Sequence, residues 1–236
     1  MSVDPQSVHE TPIVIDAVCP LLMEPRHLEL YRRGGATAVA PTVGGWENAE
    51  TALRTLGLWT RQVNATEDLS LVRRADDIDT AKRDGRLGII FHFQGTDPIE
   101  GDLDLVDAYK GIGVGMIQLT YNVRNRVGDG CEERTDAGLS RFGIDHVGLG
   151  IDYFTGQHPI APANAAAAMY QRLVEQGRWS TKAYPPPPYH FPAGIETPEG
   201  LPNLTRRLLE RGYGVADTRK IMGGNWVRVF REVWGE

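Results

Sequence analysis

Short apolar runs of strand length recur along the chain, and polar segments with helical spacing lie between them. The runs are rich in Val, Ile, Ala and Phe, which is typical of strands buried on both faces of a parallel sheet. We predict strands at residues 13–18, 36–42, 87–93, 114–120 and 146–153. The first four alternate with helices, which indicates four βα units with right-handed crossovers.

Apolar residues at helical spacing predict amphipathic helices between and after these strands. The predicted helices cover residues 25–33, 47–64, 76–84, 102–110, 161–176, 201–211, 215–222 and 226–234. In the second helix, the apolar residues near helical spacing are Leu53, Leu56, Trp59 and Val63. In the last helix, which Asn225 is expected to cap, the inward stripe is Val227, Phe230, Val233 and Trp234.

Residues 114–125, which read VGMIQLTYNVRN, combine a buried-strand pattern with polar groups directly behind it. Tyr121, Asn122 and Asn125 follow the carboxyl end of this strand, which is where ligands bind in parallel α/β sheets and barrels. An ordinary Asn-containing turn after a buried strand would give the same local pattern. In other strands, the two-residue period places His92 with Gln94 on one face, and Asp16 with Val18 on one face.

The alternation of strands and helices stops after residue 121. Residues 122–143 are polar and glycine-rich, and they contain no amphipathic crossover helix. The next predicted strand, 146–153, delivers Asp152 at its carboxyl end. Residues 184–189 read YPPPPY, which predicts a polyproline II segment, with a proline-motif ligand for another protein as the alternative. No internal repeat or long linker interrupts the chain, so a single domain over residues 1–236 is the economical interpretation.

Composition and charge narrow the class of protein. A chain of 236 residues, 41% hydrophobic and 24% charged, is ordinary for a globular domain. A net charge of −6 with scattered Lys and Arg gives no sign of a nucleic-acid surface. No apolar run is long enough to span a bilayer, and the first residues do not resemble a signal peptide. Two distant cysteines, Cys19 and Cys131, indicate a reducing compartment, so we expect a cytoplasmic protein.

Several segments together resemble the renal (membrane) dipeptidase family, a branch of the amidohydrolase superfamily. The matching pieces, in the family's order, are VIDAVCP, IIFHFQG, GVGMIQLTYNVRNRVGDGCEERTDAGLSRFG, IDHVGLGIDYFTG and LPNLTRRLLERGYGVADTRKIMGGNWVRVF. The resemblance covers most of the chain. It implies a (β/α)8 TIM-type barrel and zinc-dependent hydrolysis of dipeptides.

The departures from the family pattern concern the metal ligands. The family's first strand carries a His-x-Asp pair that binds zinc, and those two positions are Val18 and Pro20 here. The bridging glutamate of the family corresponds to Gln94, which is neutral. No segment supplies the two further zinc histidines of the later strands. The match passes directly from residues 141–143 to residues 144–146, which predicts an internal deletion of barrel strands five to seven near residues 143–144, and a modified barrel of about five parallel strands.

What remains near the expected barrel mouth is a small set of polar residues. Asp152 matches a family metal ligand, and we expect it to be the catalytic residue if any catalysis exists. His92 is a further possible ligand, although a histidine on a buried strand is more often hydrogen-bonded within the fold. Tyr121, Asn122, Asn125 and Gln94 are the candidate residues for binding a dipeptide-like ligand. Because a binuclear zinc site needs several anionic or imidazole ligands, we predict weak or absent zinc binding.

Three interpretations follow from this residue set. The chain is a dipeptidase-family hydrolase by descent, or a degenerate member that binds a small ligand or a partner without catalysis, or a deletion product that functions only in an assembly. A nucleophilic hydrolase finds little support, since there is no G-x-S-x-G motif. The third interpretation is based on the unpaired edge strands that an incomplete barrel would have. Five parallel strands are unable to close an eight-stranded barrel, so strands 114–120 and 146–153 would leave exposed apolar edges, and we expect a homo-oligomer.

Overall fold

Parallel strands and helices alternate through the first half of the chain. A computed structural model describes residues 12–19, 25–122, 125, 144–153, 162–181, 184–187 and 193–235. Its strands are β1 (Ile15–Cys19), β2 (Ala38–Gly44), β3 (Leu69–Leu71), β4 (Leu87–Ile89), β5 (Phe91–Phe93) and β6 (Val114–Ile117). Four of the five predicted strands are confirmed, the third of them as the two short strands β4 and β5. Strand β3 was missed, because three residues are too few to give a period.

The helices agree closely with the hydrophobic pattern. They are α1 (Pro25–Arg33), α2 (Ala49–Ala65), α3 (Ala75–Arg83), α4 (Asp104–Ile112), α5 (Ala163–Glu175), α6 (Leu201–Glu210), α7 (Val215–Arg219) and α8 (Asn225–Trp234). A π-helical turn, Lys220–Gly224, joins α7 to α8. No described helix has the length and apolar character that crossing a membrane requires.

Strand β2 lies at the centre of an all-parallel sheet. It pairs with β1 on one side and with both β4 and β5 on the other. Strand β3 then pairs with β4, and β6 pairs with β5. Among the strands described, β1 pairs with β2 only, so this sheet of six strands is open. The fold is therefore α/β, with the architecture of an incomplete (β/α)8 barrel.

Both faces of this sheet are covered by helices. Consecutive residues of one strand, Val39 and Ala40, belong to two different apolar clusters. The cluster around Val39 includes Leu56 and Trp59 of α2, and we call this side of the sheet the first face. The cluster around Ala40 includes side chains of α3 and α8, among them Phe230, and lies on the second face. Helices therefore supply part of the core on the second face.

The predicted strand at residues 146–153 is wrong. Ile144–His146 forms a 3₁₀ turn, and residues 147–153 belong to no helix or strand. The segment nevertheless lies beside β1, because Ala17 N donates to Leu149 O at 3.1 Å and Asp152 N donates to Val18 O at 3.0 Å. Between these two contacts, Ile151 N donates to the side chain of Asp16 at 3.0 Å. A carboxylate thus replaces the backbone acceptor that a regular ladder would supply.

Three expectations about the helices also need correction. Leu53 is 45% exposed and Val233 is 72% exposed, so each lies outside the buried stripe of its helix. Asn225 does not accept a capping bond from its helix. Its side-chain Nδ2 donates to Ile144 O and to Val147 O, both at 2.8 Å, and so ties α8 to the preceding segment. The amide was needed for a tertiary contact that the local sequence does not reveal.

Helix α8 reaches from one side of the open sheet to the other. Its Trp226 donates an indole N–H to Leu149 O at 3.1 Å, beside β1. Its Trp234 donates to Gly115 O of β6 at 3.2 Å. A Cβ added at Gly115 would lie 2.8 Å from the Trp234 ring, and one at Gly148 would lie 2.4 Å from the Trp226 ring. Glycine is therefore required at both places for the indoles to approach the backbone.

We expect Gly115→Ala to destabilise the protein by about 1–3 kcal/mol, because the added methyl group overpacks the contact with Trp234. Gly57→Ala is the matched control. Gly57 lies within α2 with no atom near its Cβ position, so this variant should gain about 0.5–1 kcal/mol from helix propensity. Urea unfolding of the three proteins measures both changes. Equal stability of Gly115→Ala and the parent chain would contradict the proposed contact.

Candidate functional site

The predicted site lies where β2, β5 and β6 end. Thr42, His92 and Met116 are register partners on these three adjacent strands, so their side chains project from the same side of the sheet. Thr42 shares its side with Ala38 and Ala40 by strand alternation, which places this row on the second face. These three side chains, which come from three different strands, therefore lie in one row on the second face.

His92 is the buried histidine of this row. It is 3% exposed, and its Nδ1 has no hydrogen-bond partner. Burial lowers the pKa of His92 to about 4, so the ring is neutral near pH 7. The structure does not bear out an internally hydrogen-bonded role for Nδ1. Among the described residues, no group supplies a hydrogen bond to this buried ring nitrogen.

Gln94 follows β5 and is 6% exposed. Its backbone N–H donates to Gly44 O at 2.7 Å, which holds the ends of β2 and β5 together. A Cβ placed at Gly45 would lie 3.6 Å from the Gln94 Cβ, so the segments that follow β2 and β5 pack closely. Gln94 therefore lies at the carboxyl ends of the strands, as predicted, and contributes a neutral side chain there.

The three polar residues after β6 make contacts with neighbouring segments. The Tyr121 ring lies 5.2 Å from the ring of Trp46. Asn122 is fully buried: its Nδ2 donates to Arg178 O at 3.3 Å, and its Oδ1 accepts from the Tyr184 hydroxyl at 2.6 Å. Asn122 therefore fastens the segments of residues 162–181 and 184–187 to the end of β6.

Asn125 lies close to the same strand end. Its Nδ2 donates to Leu119 O at 2.8 Å and to the Thr96 hydroxyl at 3.0 Å. This side chain joins the segment after β6 to the segment after β5. Both asparagines therefore shape the site by holding its walls in place.

Trp46 is a site residue that sequence reasoning missed. Arg178 stacks on its ring at 5.0 Å, and its indole Nε1 is buried without a partner. Its backbone N–H donates to the Glu47 carboxylate at 3.0 Å. The available signal was its position: Trp46 directly follows two glycines, Gly44 and Gly45, just after the second predicted strand.

Asp152 lies beside β1, near the end of the segment of residues 147–153. Its backbone adopts a positive φ of 51°, which is uncommon outside glycine. The residue is exposed, yet surrounding chain desolvates its carboxyl group. This desolvation, together with the negative charge of Asp16, raises the pKa of Asp152 to about 6. A carboxyl group with such a pKa can accept or donate a proton near neutral pH.

Asp16 is a second carboxyl group that the sequence did not single out. It is 0% exposed. Its Oδ2 accepts from the Tyr31 hydroxyl at 2.6 Å, and its Oδ1 accepts from Ile151 N at 3.0 Å. Burial outweighs these hydrogen bonds and raises the pKa of Asp16 to about 6. The signal in the sequence that could have identified Asp16 is its position within an apolar run of strand length.

A bulge in β1 corrects the predicted alternation. The register shifts between Asp16 and Cys19, so a simple two-residue period does not apply to Asp16 and Val18. Asp16 contacts Tyr31, and Tyr31 and Cys19 both belong to the apolar cluster on the first face. The Asp16 carboxylate is therefore hydrogen-bonded to helix α1 and to residue 151. Cys19 is a free, buried thiol.

The residues at the family's metal positions do not fit a zinc site. Val18 has no donor atom, Gln94 offers a neutral amide, and the Asp16 carboxylate is already engaged. Across the described ranges, no three His, Cys, Asp or Glu side chains come together as a metal site requires. Pro20 lies outside the described residues, and proline has no side-chain ligand atom. We derive no chemical step through zinc.

The protein is an incomplete TIM-type barrel with polar residues at the carboxyl ends of its strands. The family description "Membrane dipeptidase (Peptidase family M19)" matches residues 23–148 and 188–234, which is more than two thirds of the chain. The chain therefore belongs to the membrane dipeptidase family. A comparison with curated proteins gives no match.

Solved structures give the same fold. An amidohydrolase from Pseudomonas aeruginosa is 26% identical with a TM-score of 0.74, covering 99% of this chain and 100% of its own. The probable dipeptidase PvdM from Pseudomonas aeruginosa is 16% identical with a TM-score of 0.65, covering 98% and 97%. A metallo peptidase from Rhodobacter sphaeroides, liganded with a phosphinate mimic of L-Ala-D-Ala, is 14% identical with a TM-score of 0.60, covering 95% and 100%. The last two are similar in fold alone.

Asp16 should make stability depend on pH in a defined direction. Its pKa is raised from 3.8 to about 6 on folding, so the folded state binds more protons between these pH values. The free energy of unfolding should therefore fall as pH rises through this window, by about 3 kcal/mol from Asp16. Asp16→Asn should remove this part of the slope, as measured by urea unfolding between pH 4 and pH 7.

Glu67→Gln provides the control for this measurement. Glu67 is an exposed carboxylate before β3, so its replacement should leave the slope as in the parent chain. A slope in Asp16→Asn that equals the parent slope would contradict a protonated, buried Asp16 in the folded state at pH 5.

Proposed function

We propose that this chain is a membrane dipeptidase family protein that has lost zinc-dependent hydrolysis and retains a binding site for a small dipeptide-like ligand. The observation that carries the proposal is the donor set at the family's metal positions. Val18 and Gln94 stand where the family has an imidazole and a carboxylate, and neither can hold a zinc ion tightly. Binding and activation of water by a metal require ligands that the described residues at this end of the barrel do not supply.

The proposed binding site lies at the carboxyl ends of β2, β5 and β6. Gln94, Tyr121, Asn122 and Asn125 line or support it, and their position depends on the strands and on hydrogen bonds within the chain. Each of these contacts joins two groups of the chain itself. The loss of zinc ligands therefore leaves the pocket walls in place.

Asp152 supports a second candidate function, residual hydrolysis of dipeptides. Its pKa of about 6 suits a proton acceptor near neutral pH, and it matches a ligand position of the family. In this case Asp152→Asn should abolish the turnover while the protein remains folded. Unchanged turnover in that variant would remove Asp152 from the site.

The missing part of the barrel belongs to the same proposal. We propose that barrel strands five to seven of the family were deleted near residues 143–144, and that residues 1–236 remain one domain. The loss of these strands removes the two further histidine ligands together with the chain that would carry them. The open sheet and the incomplete metal site would then both result from this one deletion.

The first experiment measures zinc. After dialysis against chelator-free buffer containing zinc, and removal of free metal, we expect well below one zinc per chain by plasma mass spectrometry. Gln94→Glu is the matched variant, since it replaces an amide with a carboxylate of the same size, and it should retain more zinc than the parent chain. L-Ala-D-Ala should not be hydrolysed by the parent chain. About two zinc ions per chain, with turnover, would overturn the proposal.

We also propose that the chain forms a homo-oligomer through its open edges. Leu119, just after β6, is 64% exposed, and Val147, in the segment beside β1, is 46% exposed. Apolar side chains at an unpaired sheet edge favour association with another copy. Light scattering after size exclusion should give at least twice the chain mass of 26.1 kDa.

Matched variants test where the copies meet. Leu119→Lys should shift the assembly toward monomer, because it places a charge at the proposed contact. Leu103→Lys changes a residue that is 77% exposed just before α4 and should leave the mass unchanged. A compact monomer of the parent chain that binds no hydrophobic dye would contradict the assembly.

A further inference from the structure

Three buried polar atoms without partners belong to residues at or just beyond the carboxyl ends of β2 and β5. Five such side-chain atoms occur in the described part of the chain, and three of them are Thr42 Oγ1, His92 Nδ1 and Trp46 Nε1. Thr42 and His92 are direct register partners on β2 and β5, and Trp46 lies two residues beyond the end of β2. Leaving a buried donor or acceptor unpaired is costly, so three in one region indicate a missing partner.

The chemistry of these atoms defines what that partner must offer. The Trp46 indole N–H can only donate, so it needs an acceptor such as a carbonyl oxygen. The Thr42 hydroxyl and the neutral His92 ring can each donate or accept. A group that presents a carbonyl oxygen and an N–H side by side meets these requirements, and this group is an amide.

The charges around the row favour a ligand without charge of its own. Thr42, His92, Met116 and Trp46 carry no charge, because burial keeps the His92 ring neutral near pH 7. In the described part of the chain, the charged side chains of Arg178 and Glu47 contact Trp46, and both are engaged. Arg178 stacks on its ring at 5.0 Å, and the Glu47 carboxylate accepts from Gly45 N at 2.7 Å as well as from Trp46 N.

An ammonium group in this row would lose its water, and the four residues of the row supply no carboxylate in return. Gln94 supplies an amide at the position where the family has glutamate, and Asp16 is engaged with Tyr31 and residue 151. Burying an unpaired charge is far more costly than burying a hydrogen-bonded amide. A free dipeptide carries such an ammonium group at its amino end.

We propose that Thr42, His92 and Trp46 form the recognition site for an uncharged amide, such as a peptide unit blocked at both ends, in preference to a free zwitterionic dipeptide. This inference rests on the proposed function of a ligand site at the carboxyl ends of the strands. It adds the residues that contact the ligand, and it specifies that the ligand carries no charge.

Two conservative variants separate a recognition role from a structural one. Thr42→Val and Trp46→Phe each remove one unpartnered polar atom and nearly preserve side-chain shape. In the free protein they should raise the melting temperature by about 2 °C, because an unpaired buried group is lost. In binding, each should weaken the affinity for N-acetyl-L-alanine methylamide about tenfold by titration calorimetry. A merely structural role would not produce these opposite effects.

Ser70→Ala is the matched control. The Ser70 Oγ is also buried without a partner, but Ser70 is the register partner of Gly88, four residues before His92. At about 3.3 Å per residue this is on the order of 13 Å away along the strand. Ser70→Ala should therefore leave the affinity for the blocked amide unchanged.

The comparison of two probes completes the test. We expect L-alanyl-D-alanine to bind at least tenfold more weakly than N-acetyl-L-alanine methylamide. Equal or tighter binding of the zwitterion, no binding of the blocked amide, or unchanged affinity in both Thr42→Val and Trp46→Phe would overturn the inference. Zinc retention with dipeptide turnover would instead refute the proposed function, so the two failures are distinguishable.

Discussion

The buried carboxylate of Asp16 is the contact on which the carboxyl end of the sheet depends. It accepts hydrogen bonds from Tyr31 of α1 and from Ile151 of the segment of residues 147–153, so one side chain joins β1, its following helix and the last part of the barrel. The same contact places Asp152 beside β1, and the charge of Asp16 contributes to the raised pKa of Asp152. A carboxylate used in this way is not available to a metal ion.

The second constraint is that an open barrel must cover the second face of its sheet, and the final helix, α8, contributes to this. A closed barrel fills its interior with side chains from the strands alone. Here the second face of the sheet packs against side chains of α3 and α8. The indoles of Trp226 and Trp234 donate to backbone carbonyls at opposite sides of the sheet, where Gly148 and Gly115 give the rings room. Helix α8 thus covers apolar surface that further strands would otherwise bury.

The candidate site shows which of its residues a sequence pattern can indicate. Gln94, Tyr121 and Asn122 were predicted because they directly follow the predicted strands, and the end of a strand is visible in the apolar pattern. Asp16 and Trp46 were missed because their roles come from partners distant in sequence, Ile151 and Tyr121. His92 was identified, but the absence of a partner for its Nδ1 is a property of the packed sheet. A period in the sequence cannot show which polar atoms stay unpaired.

The sequence by itself determined the parallel α/β class, the order of most strands and helices, the family and the loss of ligand types at the metal positions. These properties are local: apolar periodicity sets each element, and a side chain such as Val18 has no donor atom in any fold. Only the tertiary structure decided that residues 147–153 would be held through the Asp16 carboxylate, that Asn225 would join two segments, and that α8 would cover the open sheet. Each of these depends on atoms more than 70 residues apart, whose contact arises from packing of the whole sheet and leaves no periodic signal in the chain.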